Sequence, residues 1–126
     1  MNDDEYLKAL YAVFVRAMAD SEKARREGLL ALEESIDDDK VPNRDIFEYG
    51  MRFVVDGTDP SDIDKILSNI VKQEKDERRL LLKTIQKEAV LSIQKGDNPR
   101  ITFLLMNSYT DIPLNDPMFK KMLEDD

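Results

Sequence analysis

The sequence predicts an all-α fold, a small helical bundle or hairpin with two long helices and three short ones. Apolar residues recur at three- and four-residue steps along most of the chain, as the buried stripe of a helix requires. Glycine (4) and proline (5) are too few for a turn-rich β fold. Charged residues make up 37% of the 126 positions, which suits helices with well-solvated outer faces. That length can bury one core, so residues 1–126 are expected to form a single helical domain.

The first long helix is expected from Asp3 to Ile36. Its stripe is Leu7, Tyr11, Phe14 and Met18, then Leu29, Leu32 and Ile36, with Ser21 and Arg25 carrying it through a polar middle. Gly28 sits inside this pattern although glycine costs a helix interior roughly 1 kcal/mol relative to alanine. Asp37, Asp38, Asp39 and Pro42 mark a loop. A short helix follows, from Arg44 to Asp56, with Asn43 as its N-cap. Gly57 then ends it in the left-handed conformation, and Asp59 and Pro60 open the next helix as cap and first residue. That helix is expected to run from Ser61 to Lys95. It crosses the wholly polar segment 72–79, supported there by Glu74 and Arg78 at i,i+4 spacing. Gly96 ends it, Asn98 and Pro99 start a short helix, and Asp116–Pro117 starts another.

The same residues narrow the chemistry. A formal net charge of −8 repels polyphosphates and anionic membrane surfaces, so neither nucleic acid nor direct membrane insertion is expected. The longest nearly apolar stretch, Ala9 to Ala19, contains Arg16 and falls short of the about 20 residues a bilayer needs. Whether that stretch packs internally or against a second copy is open, and a homo-oligomer is compatible with either. Without cysteine there is no thiolate chemistry, and without histidine the commonest general base and metal ligand are missing. Asp37, Asp39 and Glu48 fit positions one, three and twelve of a calcium loop, but Val41 and Pro42 stand where an oxygen ligand and a glycine are needed. No enzyme, metal or cofactor is expected. Phe14, Met18, Phe47, Met51 and Phe103 are read as core filler.

Residues 24–33, ARREGLLALE, and the later FVVDGTDP resemble the cytoplasmic segment of the MotA/PomA family, the stator subunits of the bacterial flagellar motor. The likeness lies in Arg25, Gly28 and the run Leu29 to Glu33, then in Val54 to Gly57 with Asp59 and Pro60. The helix from Ile63 to about Arg78 adds a weaker match. It divides the chain into a stator-like part, 1–78, and an unassigned helical extension, 79–126. In that family an arginine and a glutamate of the first motif contact a charged helix of the rotor switch protein. The resemblance therefore implies a motility role by protein–protein contact, with Arg25, Arg26 and Glu33 as partner-binding residues. Gly28, Gly57, Asp59 and Pro60 become structural turn and cap residues, with Gly28 allowing close helix approach. On one continuous helix Arg25 and Glu33 would lie about 12 Å apart along the axis and roughly 80° apart around it. A cytoplasmic location is expected, at the inner face of the membrane through a motor partner. The family's four membrane spans have no counterpart here, so ion conduction by this chain alone is not expected. The alternative is a free-standing acidic helical adaptor outside motility.

Overall fold

The computed structural model describes residues 1–124. Its elements are α1 (Asp3–Glu27), a 3₁₀ segment (Leu29–Ser35), a short 3₁₀ turn (Asp38–Lys40), α2 (Ile46–Val55), α3 (Pro60–Val71), α4 (Glu77–Lys95), α5 (Pro99–Asn107) and α6 (Pro117–Glu124). No strand occurs among the described residues, so the all-α fold is as expected. No helix among them is long and apolar enough to cross a membrane.

α4 is the central strut, packed against α1, α2, α3 and α5. Its Ile85, Ala89 and Val90 are fully buried. On one side Gly50 of α2 lets the helices close up. A Cβ there would lie 2.8 and 2.9 Å from the two Val90 methyls and 3.2 Å from Leu67 Cδ1. On the other side Phe14 of α1, Phe103 of α5 and Phe119 of α6 form a fully or nearly fully buried aromatic trio with centroids 5.0–5.5 Å apart. Edge-on and tilted rings of this kind add to their area burial. The extension beyond residue 78 therefore shares one core with the segment before it.

Both long helices are shorter than their apolar spacing suggests. α1 stops at Glu27 because Gly28 takes φ 90°, ψ 164°, a conformation essentially reserved for glycine. Leu29 and Leu32 continue the periodicity in a 3₁₀ segment, whose i,i+3 side chains eclipse. The buried stripe of α1 is also rotated from the expected one: Leu10, Phe14, Ala17, Met18 and Ser21 face the core. Leu7 and Tyr11 are 44% and 45% exposed, and Arg25 lies on the surface.

The expected helix from Ser61 to Lys95 is two helices. Segment 72–76 has no apolar side chain to bury, and its own carboxylates satisfy the backbone instead. Glu74 Oε2 accepts from the N–H groups of Lys75 and Asp76 at 3.0 and 3.1 Å, and Asp76 Oδ1 caps α4 by accepting from Arg79 N–H at 2.9 Å. The expected Glu74–Arg78 pair does not form. Glu74 binds Lys83 Nζ at 2.8 Å, and Arg78 binds Asp3 at the start of the chain. Asp45 caps α2 in place of Asn43, its Oδ1 accepting from Glu48 N–H at 3.0 Å.

Candidate partner-binding site

The last turn of α1, Gly28 and the 3₁₀ segment form an elbow. Leu32 is its fully buried anchor, and the segment packs on both α1 and α2. Lys23 on α1 pairs with Glu34 across the bend. Leu30 is left on the outside, 74% exposed, and Arg25 and Arg26, before the bend in sequence, are exposed as well. Neither arginine has an ion-pair partner among the described residues. Apart from its chain neighbours, no atom of the described residues lies within 4 Å of a Cβ built on Gly28, so this glycine serves the backbone angle and not a close helix approach.

Glu33 is placed differently. It is on the 3₁₀ segment, 65% exposed, and accepts from Arg52 Nη1 at 3.3 Å. Arg52 also holds Asp38 Oδ1 at 2.7 Å through Nη2. The single-helix separation expected between Arg25 and Glu33 lapses at the Gly28 bend. The remaining residues behave as caps and turns. Gly57 has φ 76° after α2, and Asp59 Oδ1 accepts from Ser61 N–H at 2.9 Å in front of Pro60.

The elbow is held by a cluster that neither the spacing nor the resemblance singled out. Arg16 donates to both oxygens of Glu48, at 2.8 and 2.7 Å, to Asp20 Oδ2 at 3.0 Å and to the Ser35 carbonyl at 2.9 Å. It also lies over the Phe47 ring, 5.0 Å from the centroid. One guanidinium thus ties α1 to the end of the 3₁₀ segment and to α2. Burial favours neutral Arg16, but its bonds to Glu48 and Asp20 outweigh that and raise its pKa. Burial also works against the charge on Glu48, and the Arg16 and Asp37 N–H donors overcome it, leaving Glu48 below the usual carboxylate value. For Asp20 burial wins, and its pKa is raised despite Arg16. The detectable signals were an arginine inside an apolar run and Asp20 four residues later. Glu48 lies within the helix expected from Arg44 to Asp56 and turns inward. No metal-holding cluster occurs among the described residues.

Behind the elbow is a cavity of about 160 Å³, with Arg25, Gly28 and Leu29 on one side and Ile93, Gln94 and Gly96 on another. Ser21 also lines it, and the buried Ser21 Oγ and Gln94 Oε1 have no hydrogen-bond partner among the described residues. Gln94 Nε2 donates to the Thr58 carbonyl at 2.8 Å, so one side chain joins the elbow cavity to the turn after α2. Buried polar atoms of this kind are normally satisfied, which gives the cavity a use for water or for a polar group brought by another molecule.

No protein-family model, curated protein or solved structure matches this chain.

Proposed function

We propose that this chain is a non-enzymatic protein-interaction component that presents the elbow to a protein partner. The observation supporting this most strongly is Leu30, 74% exposed on a bend anchored by the fully buried Leu32, with Arg25 and Arg26 exposed in the turn that leads into it. An exposed leucine on a braced element that also exposes two arginines has the makings of an anchor with a charged rim. Glu33 contributes by exchanging Arg52 for a basic group of the partner. The likeness of ARREGLLALE and FVVDGTDP to the stator segment makes a flagellar motor or rotor-switch component the partner class we favour, with the chain at the inner face of the membrane through that contact. The second reading, an acidic helical adaptor outside motility, draws on the net charge of −8, which favours a basic partner. Native pull-down with the intact chain separates them. Recovery of motor or switch proteins, lost with Arg25→Glu, supports the first reading. Recovery of other partners alone supports the second. Capture that is unchanged by Arg25→Glu, Arg26→Glu and Leu30→Ala contradicts the elbow as the site.

A further inference from the structure

The outward face of α1 carries a pattern that shares only Arg26 with the elbow. Asp4, Lys8, Tyr11, Val15, Ala19, Glu22 and Arg26 follow one another at steps of four, three, four, four, three and four residues. At helical pitch they fall in an arc about 80° wide and roughly 33 Å long. The face is open: Tyr11 is 45% and Val15 43% exposed, and Asp4, Lys8, Ala19 and Arg26 are exposed as well. Asp4, Lys8, Glu22 and Arg26 have no ion pair with another described residue.

The order of steps reads the same from either end, with Val15 at the centre. We infer that this face is a self-association surface whose occupant is a second copy of the chain, docked antiparallel about a two-fold axis at Val15. In that register Asp4 faces Arg26 of the second copy and Lys8 faces its Glu22. Tyr11 faces Ala19, a large residue against a small one, and the two Val15 side chains meet. Each off-axis contact occurs twice, as a two-fold interface requires, and the Val15 contact lies on the axis. Parallel pairing instead stacks Asp4 on Asp4 and Arg26 on Arg26, so charge selects the antiparallel arrangement. One helix pair of this length lies at the small end of specific interfaces, and the dimer is concentration-dependent.

The test uses the full chain, which has no cysteine of its own. Sedimentation equilibrium should show a reversible monomer–dimer balance. Lys8→Glu, which sets a glutamate against Glu22, should weaken it about tenfold or more, the scale of a lost close charge pair. Adding Glu22→Lys in the same chain should restore it. A Val15→Cys variant should be linked by a short bis-maleimide at least about tenfold faster than an exposed Ser61→Cys control. A monomer at every concentration, leaving the face to some other protein, overturns the inference. So do equal linking rates at the two positions, or a dimer indifferent to Lys8→Glu. Loss of the elbow partner leaves all of these readouts unchanged, which keeps the two proposals separable.

Discussion

Arg16 of α1 grips both carboxylate oxygens of Glu48 on α2, with Nη1 at 2.8 Å and Nη2 at 2.7 Å. The pair spans 32 residues of sequence, and the Glu48 side chain is only 5% exposed. The same guanidinium reaches the Ser35 carbonyl, so the angle of the elbow depends on it.

Removing this cation should leave two nearly buried carboxylates without their partner. Arg16→Ala is expected to lower unfolding free energy by about 3 kcal/mol, the low end for breaking a buried pair, because Arg16 itself is partly exposed. Arg16→Lys should recover only part of the loss, since an ammonium cannot fork across Glu48, Asp20 and Ser35. Urea titration measures both. A loss under about 0.5 kcal/mol for Arg16→Ala would make the cluster an ordinary surface pair.

The two carboxylates should give opposite pH signatures. Glu48 has a depressed folded pKa, so its contribution is present above the ordinary value of 4.5 and fades as pH falls through the folded one. The stability gap between the native chain and Glu48→Gln should therefore narrow below that pH. Asp20 has a raised folded pKa. Its favourable contribution is full below the ordinary value of 3.8 and is lost as pH rises through the folded one. Relative to Asp20→Asn, the native chain should lose stability upward from that point. Parallel pH profiles for the two variants would contradict the assignment.

Much of this architecture is legible in the residues themselves. Asp59–Pro60, Asn98–Pro99 and Asp116–Pro117 all mark helix starts, and Gly57 and Gly96 follow helix ends. These signals act locally, through one cap or one backbone angle, so nearest neighbours suffice to read them. The missed features depend on competition. Leu29 and Leu32 suit an α-helix and a 3₁₀ segment equally, and the φ of Gly28 decides between them. Segment 72–76 contains no helix breaker, yet Glu74 and Asp76 offer the backbone better partners than a solvated helix would. The Arg16 cluster joins α1, the 3₁₀ segment and α2, a relationship invisible to any short window. Of the residues proposed for partner contact, Arg25 falls in the stripe the spacing predicts and is exposed because the buried face of α1 is rotated away from it. The Glu33–Arg52 bond required the fold.

Two glycines should fail for different reasons. Gly28→Ala forces an L-residue into a backbone region costing about 1–3 kcal/mol, with open space around the new methyl. Gly50→Ala should cost a similar about 1–3 kcal/mol by overpacking against Val90. Adding Val90→Ala should relieve part of the Gly50→Ala defect and none of the Gly28→Ala defect. Thermal or urea unfolding of the four variants decides it. Equal effects of Val90→Ala on both backgrounds would remove the distinction.

The break between α3 and α4 should be visible in hydrogen exchange. The amides of Lys75 and Asp76 are held by the Glu74 side chain and not by a helix ladder. They should exchange much faster than the amides from Leu82 to Ile93, whose helix packs in the core. Equal protection across residues 70–93 would restore a single continuous helix.

The elbow as a partner-binding element is tested most directly by site-specific photocrosslinking. A photoreactive side chain is placed at Leu30 of the full chain in native cells, with Ser61 as an exposed control. The expected result is a discrete adduct to another protein from position 30, absent at position 61 and lost when Arg25→Glu is added. No adduct from position 30, or the same adducts from both positions, would contradict it.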